Sequence, residues 1–131
     1  MPTIKRLLEL NKNFYLVSAI LWLCAITVGS LLSGNMVREV DTGFDIPDKL
    51  VHGIFYFGNT LLFYLYFRKT SLKNEIIKVS VFSFLYGILI EVLQHVMPYE
   101  RSFDVKDILA NTVGILIAIF LIKFCLALSM R

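Results

Sequence analysis

The sequence predicts an all-α, polytopic membrane protein in which four transmembrane helices form an antiparallel bundle. Hydrophobic residues make up 57% of the chain and charged residues only 18%, a composition that departs from soluble domains and indicates a membrane protein. Four apolar runs are each long enough to cross the hydrocarbon layer, and the connections between them are short. We therefore predict a single domain over residues 1–131, with helices at about 14–32, 48–67, 76–97 and 107–128.

The first apolar run, residues 14–32, carries no charged side chain. At a rise of ~1.5 Å per residue this run covers roughly 29 Å, about the thickness of the hydrocarbon core. A basic start and the small residues that follow would also suit a cleaved signal peptide, but the run is longer than a typical signal core. We expect it to remain as the first span.

Turn-forming and charged segments separate the other runs. Residues 33–49 are polar, include glycines and a proline and are typical of a loop, and Asp48 near its end suits the positive start of the second helix. A basic connection over residues 68–75 ends that helix, and Pro98 ends the third. The next loop is short, so the fourth run returns across the membrane. Gly114 and Ala118 in this run form a small-xxx-small pair, which predicts a close helix contact.

The distribution of lysine and arginine predicts the orientation of the chain. The basic residues of the N-terminal tail, the second connection and the C-terminal end are Lys5, Arg6, Lys12, Arg68, Lys69, Lys73, Lys78, Lys123 and Arg131. Those of the opposite side are Arg38, Lys49, Arg101 and Lys106. Because basic residues are more frequent on the cytoplasmic side, we predict that both termini are cytoplasmic.

Two further classes of feature are not expected. Cys24 and Cys125 lie inside apolar runs at mismatched depths, so a disulfide is not predicted. The basic residues form short clusters without a basic helix or a recognition motif, and we therefore expect no nucleic-acid partner.

Three of the predicted helices carry a stripe of polar or small residues on an otherwise apolar surface. The stripes consist of Asp48, His52, Tyr56 and Asn59; of Gly87, Glu91, Gln94 and His95; and of Asp104, Asp107, Asn111 and Gly114. Spacings of three or four residues place each stripe on one helix face. At the usual helical rise Glu91 lies about 9 Å and Asn111 about 6 Å below the outer ends of their helices, with His52 at a comparable depth. We predict that these groups meet, and that Asn59 forms an interhelical hydrogen bond nearer the midplane.

Glu91 is the central residue of this prediction. An ionisable side chain within the hydrocarbon layer costs at least a few kcal/mol unless it meets a partner or water. One interpretation is structural: the carboxylate pairs with His52 or Arg101, or stays protonated, and locks the third helix against its neighbours. The other is a role in ligand binding or proton transfer. Apolar packing would fasten the helices without the desolvation cost, which favours the functional interpretation.

The other polar residues also have two interpretations each. His52 can act as a general acid or base oriented by Asp48, or simply as a hydrogen-bonding residue at the interface. Asp104 and Asp107 can cap the fourth helix or contact a ligand, and Arg101 can clamp a phosphate or neutralise these acids. The chain has no recognised zinc pattern such as His-Glu-x-x-His, so we predict neither a metal nor a cofactor.

Three sequence blocks resemble those of the VanZ-like family of small bacterial membrane proteins. They are DKLVH at 48–52, YGILIEVLQ at 86–94 and RSFDVKDILANTVG at 101–114, within a resemblance that covers about residues 14–128. Glu100 stands where the family often has a glycine before its arginine. The resemblance implies a multi-pass protein of the bacterial inner membrane, in a family named for its association with resistance to the lipoglycopeptide teicoplanin. It implies no particular reaction.

Three functional hypotheses follow. The first is binding of an amphiphilic cell-envelope ligand, a lipid-linked cell-wall precursor or a lipoglycopeptide antibiotic such as teicoplanin, in an outward-facing polar cavity. The second is an enzyme that performs acid-base chemistry on a lipid head group, with Glu91 and His52 as the catalytic proton-transfer pair. The third is a structural subunit that associates with another membrane protein. Membrane lipids are expected partners in every case.

The ligand-binding residues predicted for the first hypothesis are Asp48, Lys49, His52, Glu91, Gln94, Arg101, Asp104, Asp107 and Asn111. If the ligand is a pyrophosphate-linked lipid, we expect Lys49 and Arg101 to contact it, since both are cationic.

Overall fold

The computed structural model describes residues 2–32, 48–97 and 102–129, and every regular element in these ranges is helical. The helices are α1 (Pro2–Glu9), α2 (Lys12–Leu31), α3 (Asp48–Phe67), α4 (Glu75–Val96) and α5 (Val105–Ser129). Helices α2 to α5 are each long and apolar enough to cross a membrane. The predicted fold class is therefore confirmed, and the four predicted spans match α2 to α5 to within two residues at each end.

The short helix α1 was not predicted. It precedes the first span, and Asn11 separates the two helices by capping α2: its side-chain oxygen accepts a hydrogen bond from the backbone N–H of Asn13 at 3.1 Å. A helix of only eight residues produces no long apolar run, so a search for membrane spans does not detect it.

The connection between α3 and α4 is a set of turns that ends at Asn74. This residue has a φ of 57°, in the left-handed region that asparagine tolerates better than most residues. The tight connection makes α3 and α4 antiparallel neighbours.

Helix α3 is the centre of the bundle, because its contacts with α2, α4 and α5 are together the most extensive of any helix. Its closest contact is with α5, where Gly53 faces Gly114. A Cβ atom on Gly114 would lie 2.1 Å from the Gly53 carbonyl oxygen, so the two backbones approach as closely as glycines permit. Ala118, one turn further along α5, is fully buried, and the small residues at 114 and 118 thus form a close helix contact as predicted.

The second main contact of α3 is with α2. The Trp22 indole N–H donates a 2.8 Å hydrogen bond to the Phe55 carbonyl oxygen, and the two rings meet edge to face. The indole ring covers Gly58, where a Cβ atom would lie 2.6 Å from it. Ile26, Tyr56 and Ile115 form the buried core between the helices.

Large apolar side chains cover the outside of α2 to α5. They include Leu21, Ile77, Leu85, Leu116 and Phe120, which are all exposed at the surface of the chain. Exposed apolar surface on this scale is unfavourable in water and suits contact with lipid. Polar side chains are instead buried between the helices, which positions the candidate site.

Candidate functional site

The polar stripes of three helices meet at one end of the bundle, where α3 and α5 begin and α4 ends. We call this group the polar cluster; its described members are Asp48, Lys49, His52, Glu91, Asp104, Asp107 and Asn111. His52, Glu91, Asp107 and Asn111 are buried, whereas Asp48 is exposed. The predicted convergence of the stripes is therefore present in the structure. Arg101, also predicted for the site, lies outside the described residues.

Lys49 links the two aspartates of the cluster. Its ammonium group lies 2.8 Å from Asp104 Oδ2 and also contacts Asp107 Oδ1. The hydrogen bond from Lys49, together with one from the backbone N–H of Lys106, holds the pKa of Asp104 below its usual value. Because Lys49 is already paired with two carboxylates, its charge is largely neutralised within the protein.

Asp104 also caps α5. Its Oδ1 accepts a 2.8 Å hydrogen bond from the Lys106 N–H, two residues ahead, and its carbonyl oxygen accepts one from Asp107 N–H. This is the geometry of a helix N-cap. The capping interpretation of Asp104 therefore holds, and the same carboxylate takes part in the ion pair with Lys49.

His52 lies between Asn111 and Asp107. Its Nδ1 is 3.0 Å from Asn111 Oδ1, which is a hydrogen-bond distance, and its Nε2 is 3.7 Å from Asp107 Oδ2, which is too long for one. Asp48, His52 and Asp107 each offer one potential ligand atom, and the three atoms lie within 4.8 Å of one another. The imidazole is thus held in a fixed orientation by α5, with Asp48 one turn before it on α3.

Glu91 lies inside the bundle and has no solvent exposure, so its carboxyl group does not face lipid. Oε2 accepts a long hydrogen bond of 3.4 Å from the Asp104 backbone N–H. Oε1 has no hydrogen-bond partner among the described residues, although it is fully buried. The carboxyl group therefore has an unused acceptor in a place where polar atoms are normally paired.

Tyr56 lies next to this carboxyl group, and the predicted ligand-binding set did not include it. Its ring packs on Gly87, one turn before Glu91, where a Cβ atom would lie 3.2 Å from the ring and 3.0 Å from Asn111 Nδ2. The Tyr56 hydroxyl group is buried and, like Glu91 Oε1, has no hydrogen-bond partner among the described residues. Its position four residues after His52, on the same stripe, was the available signal.

Two other stripe residues fasten helices together. The Gln94 side-chain amide donates a 2.6 Å hydrogen bond to the Ser30 carbonyl oxygen and so links α4 to α2. Asn59 donates a 2.9 Å hydrogen bond to Ser83 Oγ, which confirms the predicted interhelical bond. His95, in contrast, is exposed although it follows Glu91 by one turn, so it does not share the buried face as its spacing predicted.

The described residues also line two apolar cavities, both at the opposite end of the bundle. One, of about 220 Å³, is lined by Phe63, Phe67, Leu72, Lys78, Val79 and Phe82. The other, of about 170 Å³, is lined by residues that include Leu8, Tyr64 and Cys125. The polar cavity predicted at the cluster stays a prediction, and residues 33–47 and 98–101 are outside the described ranges.

Comparison with known proteins gives one family match. The sequence model of the family described as VanZ/LLP1 matches residues 11–126, which is nearly the whole chain. No curated protein and no solved structure matches the chain. The matched region includes every member of the polar cluster.

Proposed function

The chain belongs to the VanZ/LLP1 family of proteins, and from this membership and the polar cluster we propose that it binds the polar head of an amphiphilic cell-envelope ligand. The proposed ligand is a lipid-linked cell-wall precursor or a lipoglycopeptide antibiotic such as teicoplanin. The proposed location is the bacterial inner membrane, with the polar cluster facing outward.

The observation that supports this proposal is the state of Glu91. The side chain is fully buried, yet one of its two carboxyl oxygens has no hydrogen-bond partner among the described residues. Leaving a buried acceptor unpaired costs about 1–3 kcal/mol, and more when the group is charged. Asn59 Oδ1 is also buried and unpaired among the described residues, but an unpaired acceptor is more costly on a charged Glu91 carboxylate than on the neutral Asn59 amide. The free oxygen is therefore best explained as a contact kept for a ligand.

The surroundings of the cluster suit an amphiphile. Leu50 and Ile54 on α3 and Leu109 and Val113 on α5 are exposed, and they lie on the same helical turns as the buried polar residues. A ligand with its head in the cluster would therefore have an apolar protein surface and lipid beside it, and both accommodate a hydrocarbon tail.

The proposal is tested by replacing Glu91 with glutamine, which keeps the shape of the side chain and removes its ability to ionise. Purified protein in lipid nanodiscs is titrated with teicoplanin and, separately, with a lipid-linked cell-wall precursor. We expect Glu91→Gln to weaken binding of the true ligand at least about tenfold, or ~1.4 kcal/mol.

The matched control is Glu75→Gln, the same substitution at the opposite end of α4. It should bind like the unmodified chain. If Glu91→Gln binds both compounds as tightly as Glu75→Gln, or if the unmodified protein binds neither, the proposal is wrong. Poor membrane accumulation of Glu91→Gln alone would instead indicate that Glu91 fastens the bundle.

A further inference from the structure

We propose that Asp48, His52 and Asp107 bind one divalent metal ion, and that Zn²⁺ is the preferred ion. The proposal concerns the cluster itself and does not depend on the identity of an envelope ligand. The sequence analysis predicted no metal because the chain has no recognised zinc pattern. The three ligands come from two different helices, and His52 and Asp107 are 55 residues apart in the chain, so no short motif contains them.

The first argument is distance. His52 Nε2 and Asp107 Oδ2 are 3.7 Å apart, which is too far for a hydrogen bond. Two atoms that each lie about 2.0–2.2 Å from a zinc ion are roughly 3.4 Å apart at the tetrahedral angle and at most about 4.3 Å apart. The observed separation therefore suits two ligands of one ion. Asp48 is exposed at the start of α3 and offers a ligand atom within 4.8 Å of those of His52 and Asp107, so its carboxylate would have to move closer to share the ion.

The second argument is the orientation of His52, which is 4% exposed. Its Nδ1 faces the side-chain oxygen of Asn111, and an amide oxygen only accepts hydrogen bonds, so this orientation of the amide requires the ring proton on Nδ1. In the neutral ring Nε2 then carries a lone pair 3.7 Å from Asp107 Oδ2, and the two atoms repel each other unless a cation or a proton lies between them. Metal-binding histidines commonly have this arrangement, with the second ring nitrogen bonded to an oxygen acceptor.

The third argument is charge. Lys49 contacts Asp107 Oδ1, and the other carboxylate oxygen, Oδ2, faces His52 Nε2. Asp48, Asp104 and Asp107 together carry one more negative charge than Lys49 and Lys106 supply, even if Glu91 is neutral, so the described part of the cluster favours a cation. An imidazole nitrogen with carboxylate oxygens and an open position is a ligand set that zinc accepts. A bound cation would also allow an anionic head group to approach this acidic end.

The competing explanation is a proton in place of the metal, with His52 charged and paired with Asp107. Both explanations predict that His52 and Asp107 matter for stability. Only the metal site predicts saturable uptake of one ion per chain that depends on these side chains and on the exposed Asp48.

The experiment uses the full chain, purified in detergent through a tag without histidine and stripped with EDTA. It is titrated with ZnCl₂ by calorimetry and, separately, with Co²⁺ while the visible absorption of the bound ion is recorded. We expect one ion per chain. His52→Ala and Asp48→Asn should each weaken binding at least about tenfold and remove or shift the Co²⁺ spectrum. Asp48→Asn changes an exposed residue, so it tests the site even if His52→Ala does not fold.

The matched control is His95→Ala, which removes the other histidine of the chain, an exposed residue on α4. It should bind Zn²⁺ and Co²⁺ like the unmodified protein. Circular dichroism and gel filtration confirm that each variant is folded. The proposal is overturned if the unmodified chain takes up no more zinc than His52→Ala, or if His95→Ala reduces uptake as much as His52→Ala. Neither measurement involves an envelope ligand, so this result is independent of the proposed binding function.

Discussion

Lys49 pairs with two carboxylates that differ in their contact with water. The Asp104 side chain is 38% exposed and that of Asp107 is 10% exposed. An exposed ion pair contributes little to stability because water already solvates both charges. Loss of the partner of a buried carboxylate is more costly, because the remaining group is left unpaired in a less polar environment.

We therefore expect Lys49→Met to lower the free energy of unfolding by about 1–3 kcal/mol, through the buried Asp107. Asp104→Asn should have a clearly smaller effect, because Lys49 keeps Asp107 and the asparagine oxygen still caps α5. Thermal unfolding in detergent, followed by circular dichroism, compares the two variants. Equal destabilisation would mean that the pair with Asp104 is as important as the pair with Asp107.

Individual contacts of the cluster were the least predictable part of the site. The spacing of a stripe gives the face of the helix and the depth of each residue, so the meeting of Glu91, His52 and Asn111 could be anticipated. It does not give the side-chain rotamer, and Gln94 accordingly bonds to Ser30 of α2, outside the cluster. His95 is exposed although Glu91, one turn before it, is buried, and helical periodicity alone does not reveal this difference.

At the level of the helices, the approach of α3 and α5 positions the cluster, since Lys49 and His52 on one helix reach Asp107 and Asn111 on the other. This approach depends on Gly114, which has the Gly53 carbonyl group where a Cβ atom would lie. Gly53 itself has more room, because a Cβ atom there would be 3.7 Å from the nearest atom, the Ala110 carbonyl oxygen.

We expect Gly114→Ala to push the two helices apart and to destabilise the bundle by at least about 2 kcal/mol, as overpacking of a close contact does. Gly53→Ala, the same change on the opposite helix of the same contact, should be tolerated. Accumulation in the membrane and the thermal midpoint in detergent measure both effects. A stable Gly114→Ala protein with the same midpoint as Gly53→Ala would show that the interface is looser than the structure indicates.

The spans themselves were predictable because bilayer thickness imposes a minimum length on each apolar run. Helix α1 follows no such constraint, and it was missed for that reason. The pairing of α3 with α5 was only partly predictable: Gly114 and Ala118 indicated a close contact, but the sequence does not name the partner helix. Gly53 became recognisable as that partner only when the helices were placed side by side.

For the whole molecule, polar and apolar side chains are both buried between the helices, and the outside is more apolar than the surface of a soluble domain. Glu91, Asn59, Ser83 and Asn111 are almost fully buried, whereas large apolar residues cover the outside. Lipid supplies no hydrogen bonds, so polar side chains at membrane depth must find partners within the bundle. Helix α3 provides such partners for α4 and α5, which is why its stripe runs from Asp48 to Asn59.

The orientation of the bundle decides which compounds reach the polar cluster. The excess of basic residues at the opposite end predicts cytoplasmic termini and an outward-facing cluster. We therefore expect a green fluorescent protein fused to the C-terminus to fluoresce, and an alkaline phosphatase fused there to be inactive because it requires export. The same phosphatase inserted within residues 33–47 should be active. Phosphatase activity at the C-terminus instead would place the cluster at the cytoplasmic face, where an antibiotic added from outside would not reach it, and would restrict the proposed ligands to molecules available inside the cell.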